Sequence, residues 1–100
     1  MVTLVIYDIP DDRRRTKVAE ACLDYGLQRI QWSAFLGDLS PTRRRDLAAR
    51  FTRIMQGEEG NIQFYPLCTK DFDEVEELVF GNHRFGVKEM MAARKEVEVW

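Results

Sequence analysis

Residues 2–15 read Val-Thr-Leu-Val-Ile-Tyr-Asp-Ile-Pro-Asp-Asp-Arg-Arg-Arg and give the clearest signal of the fold. The first six residues form an almost continuous apolar and β-branched run, which predicts a central strand buried on both faces. Asp11 or Asp12 then offers an N-cap, so the strand leads directly into a helix. We expect this helix to end at Gly26, because glycine readily adopts the left-handed conformation that closes a helix.

The rest of the pattern predicts the order βαββαβ. Residues 27–39 alternate like one long strand, but we prefer a short hairpin there, because it gives the ferredoxin-like arrangement with both helices on one sheet face. Ser40 and Pro41 supply an N-cap and a proline at the first position of a second helix. The run 61–67 returns as a strand, and Pro66 marks an edge or strand end. We therefore predict an α+β, ferredoxin-like βαββαβ sandwich.

A C-terminal extension of the same single domain is predicted to follow a core of residues 1–70. Within residues 71–100, the apolar pattern suggests a short helix first, a weaker helix over 85–95 and an exposed final strand over 96–100. The residues of the short helix are Phe72, Val75, Leu78 and Val79. His83 is expected to lie on the surface.

Length and composition point to one small domain. A chain of 100 residues with 45% hydrophobic content can build one modest core. The sequence has no apolar run long enough to span a bilayer and no recognisable export signal, so we expect a cytoplasmic protein without membrane contact. Cys22 and Cys68 lie in unrelated segments and are expected to be small buried hydrophobes, neither of them a nucleophile.

Positive charge is concentrated in the first half of the chain. Residues 1–55 carry ten Lys and Arg against seven Asp and Glu, whereas residues 56–100 carry five against ten. Two triplets fall in the first turns of the two predicted helices, where the helix dipole disfavours cations: Arg13, Arg14, Arg15 and Arg43, Arg44, Arg45. A phosphate-bearing ligand would offset this cost. The alternative is a solvated basic face with local pairs to Asp11, Asp12 and Asp46. Arg29 would extend the phosphate-binding patch.

Asp8 is the leading candidate for chemistry. It ends what looks like a buried, parallel-type strand, the place where open α/β sheets put ligands. One carboxylate is a poor metal site, but Asp8 from each of two subunits would suit Mg²⁺, which takes one or two carboxylates and fills the rest of its shell with water and phosphate oxygens. Such a cation polarises a phosphodiester and activates water without a Ser, His or Cys nucleophile. The alternative is that Asp8 is a helix cap or an ion-pair partner of the arginines.

Two aromatic residues flank this region. Tyr7 and Phe35 are either core residues, which we favour for Tyr7, or stack on nucleic-acid bases near the site. The sequence has no Gly-rich phosphate loop, zinc-ligand spacing or Ser/His/Asp constellation that would support a competing chemistry.

Three motifs give the chain a resemblance to a known family. They are Leu-Val-Ile-Tyr-Asp-Ile-Pro-Asp-Asp-Arg-Arg-Arg at 4–15, Asp-Tyr-Gly-Leu-Gln-Arg-Ile-Gln-Trp-Ser-Ala-Phe-Leu-Gly at 24–37 and Gln-Phe-Tyr-Pro-Leu-Cys at 63–68. In this order and at these distances they resemble the CRISPR-associated protein two family. The resemblance implies a ferredoxin-like homodimer that acquires CRISPR spacers by bridging dimers of the CRISPR integrase. It also implies a metal-dependent endonuclease acting on RNA or DNA, with Mg²⁺ held at Asp8.

The same resemblance assigns further positions. Tyr7, Arg15, Arg29 and Phe35 stand at positions like those of the family's other site residues. Lys17 stands where some members have arginine, which keeps the charge but loses bidentate phosphate geometry. The exposed strand at 96–100 would pair with the partner subunit or with the integrase, since a free edge suits strand addition.

Three functional hypotheses remain open at this point. The chain is a magnesium-dependent endonuclease, a purely architectural protein that bridges DNA without catalysis, or a toxin-type small ribonuclease resembling virulence-associated protein D. The first two share a homodimer that binds duplex DNA, single-stranded RNA or both, and they differ in the role of Asp8.

Overall fold

The computed structural model describes residues 1–81, and the predicted βαββαβ order is confirmed there. The elements are β1 (Val2–Asp8), α1 (Asp12–Asp24), β2 (Gln28–Gln31), β3 (Ala34–Asp38), α2 (Pro41–Met55), β4 (Asn61–Leu67) and α3 (Thr69–Asp73). The helix predicted over 85–95, the strand predicted over 96–100 and His83 lie outside the described residues.

The strands form one antiparallel sheet in the order β2-β3-β1-β4. Strand β1 is central, as predicted, and it pairs antiparallel with both β3 and β4. The description of β1 as a parallel-type strand is therefore wrong. The hairpin inserts β3 between β1 and β2, so the two strands joined by α1 never touch.

Strand β1 is buried on one face and only partly covered on the other, which corrects the prediction of burial on both faces. Thr3, Val5 and Tyr7 are buried on the face that carries α1 and α2. On the opposite face Leu4 is half-buried and Ile6 is 38% exposed. Among residues 1–81, both long helices pack on the first face, and the second face is covered only in part, by the cluster around Phe72 of α3.

Residues 27–39 form a hairpin and not the single long strand that alternation alone suggested. Strands β2 and β3 pair antiparallel around a turn at Trp32 and Ser33, with a register irregularity between Arg29 and Gln31. The backbone N–H of Tyr7 donates to the Ser33 carbonyl at 3.0 Å. The turn is therefore bonded to the central strand.

Both long helices begin with the predicted caps, and α1 ends at the predicted glycine. Asp11 is the N-cap of α1, with its carboxylate accepting from the Arg14 backbone N–H at 2.8 Å. Gly26 follows α1 with φ of 80°, the left-handed conformation that suits glycine. Ser40 caps α2 by accepting from the Arg43 backbone N–H at 3.1 Å, and Pro41 is its first residue.

The core lies between the two helices and the sheet. Its fully buried side chains include Val5, Tyr7, Val18, Cys22, Phe35 and Leu47. A smaller cluster on the other sheet face joins Leu36 to Phe72 of α3. Within residues 1–81, no helix is both long and apolar enough to cross a membrane.

Two expectations for the C-terminal part are corrected. The short helix covers residues 69–73, and Leu78 lies beyond it with its side chain 82% exposed. Cys68 is exposed at the N-cap of α3, whereas Cys22 is buried as expected. Only Phe72 of the predicted apolar set is buried, because a five-residue helix can present little more than one position to the sheet.

Candidate functional site

Asp8 lies exposed at the C-terminal end of β1, on the sheet face opposite the two long helices. Side chains alternate along a strand, so Asp8 shares its face with Leu4 and Ile6. Its neighbour across the sheet is Asn61 at the start of β4. Within residues 1–81 the Asp8 carboxylate forms no ion pair, and the caps of α1 and α2 are Asp11 and Ser40. The described part of the chain therefore gives Asp8 neither of the structural roles considered above.

The surroundings of Asp8 allow a minimal cation site and nothing larger. An exposed carboxylate with no cationic partner is free to bind a hard cation through oxygen, as Mg²⁺ requires. No group of three or more His, Cys, Asp or Glu side chains is close enough to hold a metal within the described residues. The donor set fits Mg²⁺ only if a second Asp8 or the oxygens of a ligand complete the shell.

The two arginine triplets lie at opposite ends of the helix pair. A guanidinium nitrogen of Arg14, near the start of α1, donates to the carbonyl of Ile54, near the end of α2. At the other end, the Arg43 guanidinium lies 5.0 Å from the centroid of the Tyr25 ring. Between the two ends, Arg50 of α2 reaches Asp24 of α1 at 2.8 Å. The helices are thus antiparallel, and this direction prevents the triplets from forming one patch.

A basic groove runs between the start of α1 and the last turns of α2. It has a volume of about 440 Å³. It is lined by Arg13, Arg14, Lys17, Arg50, Arg53, Ile54 and Gln56. Two of the five cations are engaged locally, Arg14 by Asp11 and Arg50 by Asp24. Within residues 1–81, the side chains of Arg13, Lys17 and Arg53 have no acidic partner.

Arg15 and Arg29 lie outside this groove. Arg15 donates to the carbonyl of Ile9 at 2.8 Å and pairs with Asp12, so the alternative of a local Asp–Arg pair holds for it. The Arg29 guanidinium lies 5.0 Å from the Phe35 ring centroid and 5.3 Å from that of Trp32. No ion pair of Arg29 with a carboxylate is present in the described part of the chain.

Tyr7 and Phe35 are core residues, which settles the choice left open for Phe35. Their rings stack at 6.3 Å and are 2% and 0% exposed. Burial raises the pKa of the Tyr7 hydroxyl, and the nearby Arg29 guanidinium partly opposes that rise. A base has no open ring face to stack on at either residue, so both take the core position that was favoured for Tyr7, and the alternative that they stack on bases is corrected.

Three residues that belong to these surfaces were absent from the sequence-based set. Arg50 and Arg53 are single arginines in the middle and last turn of α2, and only the packing of α1 against α2 brings them beside Arg13 and Lys17. Trp32 is 72% exposed at the hairpin turn. The spacing of Arg50 and Arg53, three residues apart on one helix face, was the available signal.

Comparison with known proteins decides the family. The model of the family described as CRISPR associated protein Cas2 matches residues 1–75. The chain belongs to the Cas2 family. A relative from Chloroflexus aurantiacus, named CRISPR-associated endoribonuclease Cas2 2, is 53% identical over 74 residues, which are 74% of this chain and 87% of that relative.

Solved Cas2 structures share the fold. The crystal structure of Streptococcus pyogenes Cas2 at pH 6.5 has a TM-score of 0.68 and 34% identity, covering 79% of this chain and all of that one. One chain of a partial Cas6-RT-Cas1–Cas2 complex has a TM-score of 0.67 and 28% identity, covering 77% of this chain and 89% of that one. Membership of the Cas2 family also decides against the toxin-type resemblance.

Proposed function

We propose that this Cas2 protein is a nucleic-acid-binding homodimer that works with Cas1 in CRISPR spacer acquisition, bridging integrase dimers in the cytoplasm. The basic groove between α1 and α2 carries the proposal. The whole chain has a formal net charge of −2, yet five cations line this one groove. The solved partial Cas6-RT-Cas1–Cas2 complex, one chain of which shares this fold, supports the choice of partner.

The groove suits a phosphate backbone because it offers several cations along two walls. Arginine binds phosphate through two parallel N–H donors, and the N-terminus of α1 adds the positive end of a helix dipole. Arg13, Lys17 and Arg53 have no acidic partner among residues 1–81, so a phosphate would not have to break an existing ion pair at these positions. We expect this groove to bind the backbone of duplex DNA without base readout.

Exchange of two groove arginines tests this binding. Arg13→Ala combined with Arg53→Ala should weaken duplex binding and lower the slope of log K against log salt by up to about 1.8, since each lost phosphate contact contributes about 0.9. The matched control is Arg44→Ala with Arg45→Ala, which removes the same charge from the other end of the helix pair. Equal effects of the two double variants would contradict a groove-specific site.

The sheet face opposite α1 and α2, which the described residues leave partly open, supports the homodimer. We refer to it as the open sheet face. Ile6 and Tyr65 are 38% and 45% exposed on this face, and Tyr65 lies opposite Leu4 in the pairing with β1. Within residues 1–81, α3 covers only the end of the face near Leu36. A second copy would cover the remaining apolar surface. Because Asp8 lies on the same face, it would also bring a second Asp8 near the first.

Magnesium-dependent phosphodiester hydrolysis is the second part of the proposal. Asp8 from both subunits would hold Mg²⁺, and the bound cation would supply positive charge at the phosphodiester and activate water. The names of the relatives as endoribonucleases support RNA as one substrate, which we propose to be single-stranded, with duplex DNA as the other candidate. The exposed position of Asp8 at the edge of the open face supports its role as ligand.

Cleavage assays separate this role from a structural one. We expect wild-type protein to cut labelled RNA or duplex DNA with Mg²⁺ and to lose that activity with EDTA. Asp8→Asn should lose cleavage while retaining binding, and the exposed Asp46→Asn on α2 should behave like the wild type. Identical traces for wild type and Asp8→Asn would retire Asp8 as a catalytic residue.

A purely architectural function is the second candidate, and one observation favours it. The basic groove lies in the helix layer, whereas Asp8 lies on the opposite sheet face, so the described cations of the groove do not converge on the carboxylate. In that case binding depends on salt and on the groove arginines, and Asp8→Asn leaves it unchanged.

A further inference from the structure

The tip of the β2–β3 hairpin carries an exposed aromatic ring that the groove and Asp8 do not explain. Trp32 is 72% exposed. A buried tryptophan removes a large apolar area from water, so an exposed one forgoes much of that stabilisation. Phe80 is also exposed, but it follows α3 in a stretch without regular structure. Trp32 instead lies in a two-residue turn between paired strands.

Both residues of the turn accept a hydrogen bond from the central strand β1. The Tyr7 backbone N–H donates to the Ser33 carbonyl at 3.0 Å, and the Tyr7 hydroxyl donates to the Trp32 carbonyl at 3.4 Å. Tyr7 is itself 2% exposed and fixed in the core. The backbone that presents the indole ring is therefore pre-ordered, which lowers the entropy cost of binding a ligand on it.

A cation accompanies the ring. The Arg29 guanidinium lies 5.3 Å from the Trp32 ring centroid and 5.0 Å from the centroid of the buried Phe35. Both distances are within the range of cation–π attraction, so the arginine is held over the indole ring. An aromatic face next to a fixed guanidinium matches the two parts of a nucleotide, its base and its phosphate.

The position of the turn relates it to Asp8. Tyr7, which bonds both turn residues, directly precedes Asp8 in β1, so the hairpin tip and the carboxylate lie at the same end of the sheet. We propose that Trp32 and Arg29 form a stacking site for an unpaired nucleobase and its phosphate, at the end of the sheet that carries Asp8. This inference rests on the proposed nucleic-acid binding and adds a site that binds the single-stranded part of the ligand.

Stacking on Trp32 distinguishes single strands from duplexes. Bases in a duplex are already stacked on their neighbours, whereas an unpaired base can lie on an aromatic side chain at little cost. The site should therefore add affinity for single-stranded RNA and leave duplex binding in the groove unchanged.

Fluorescence of Trp32 provides the test. The sequence contains two tryptophans, Trp32 and Trp100, so Trp100→Phe leaves Trp32 as the only reporter. Titration of this variant with hexauridylate should quench the emission. Trp32→Ala should weaken hexauridylate binding by on the order of tenfold, without a change in the salt slope, because a stacked base releases no counterions. Trp32→Phe should retain most of the affinity, and duplex affinity should match that of the wild type.

The outcomes separate this inference from the proposed function. If Trp32→Ala is folded by circular dichroism and binds hexauridylate like the wild type, the stacking site is wrong, while groove binding of duplex DNA can still hold. Emission that responds to protein dilution but not to hexauridylate would show that a second copy covers the ring, which also overturns the inference. Wild-type protein that binds neither nucleic acid would overturn both proposals.

Discussion

At the scale of single residues, the two cysteines differ sharply in reactivity. Cys22 is buried in α1, and burial raises the pKa of its thiol to about 12. Cys68 is exposed. The thiolate is the reactive form, so a disulfide reagent at pH 8 should modify one thiol rapidly in the folded protein and the second only after denaturation. Cys68→Ala should abolish the rapid phase of the reaction. If two thiols of the folded wild-type protein react rapidly, the buried position of Cys22 is contradicted.

The raised pKa of Cys22 also fixes the direction of a pH effect on stability. Its folded-state pKa of about 12 lies above the ordinary value of 9.0, so the unfolded chain loses the thiol proton more readily than the folded protein does. The contribution of Cys22 to the free energy of unfolding is therefore complete below about pH 9 and is lost as pH rises towards 12. The raised pKa of Tyr7 acts in the same direction. We expect the urea midpoint to fall from pH 8 to pH 10.5, and to fall less steeply in Cys22→Ala. An equally steep fall in the variant would show that Cys22 does not contribute.

At the scale of elements, the start of α2 depends on one hydroxyl. Ser40 accepts a hydrogen bond from the Arg43 backbone N–H at 3.1 Å. Ser40→Ala should lower the free energy of unfolding by about 1 kcal/mol, because the amide then loses its capping partner. Thr42→Ala, which removes an exposed hydroxyl in the same turn without uncapping the helix, should change stability by less than about 0.5 kcal/mol. Urea denaturation of both variants measures the difference, and equal losses would contradict the cap.

At the scale of the whole molecule, the open sheet face should decide the oligomeric state. Ile6 is 38% exposed in the middle of that face. A charge there would be buried against a second copy without a partner, so Ile6→Lys should shift the proposed dimer to a monomer in light scattering. Leu23→Lys is the matched control, because Leu23 is 58% exposed on α1, away from the sheet. A dimer that survives Ile6→Lys would place the interface elsewhere.

Loss of the dimer should also affect the magnesium site proposed at Asp8. If Mg²⁺ is shared by Asp8 of two subunits, Ile6→Lys should lose magnesium-dependent cleavage together with the dimer, although Asp8 itself is unchanged. Duplex binding in the groove should weaken less, since its described lining residues come from a single chain. A monomeric variant that still cleaves would show that one Asp8 is sufficient.

Features governed by neighbouring residues were predictable from the sequence. The caps at Asp11 and Ser40 and the helix end at Gly26 depend on side chains within a few residues of each other. The strand and helix periods gave the element order, and three short motifs gave the family. Burial patterns were harder, because the cover of the second face of β1 depends on α3 and on the side of the sheet on which both long helices pack.

The contacts between particular charged and aromatic side chains depend on the tertiary structure. The local sequence pattern places basic residues at the start of both helices and Asp8 at the end of the first strand. It could not show that the packing of α1 against α2 joins Arg13 and Lys17 to Arg53 and leaves Arg43 at the far end. Nor could it show that Asp8 lies on the opposite sheet face from the groove. These relations depend on contacts between residues 40 positions apart in the chain, such as Arg14 and Ile54. No local pattern encodes them, because they arise when both helices pack on the same side of one sheet.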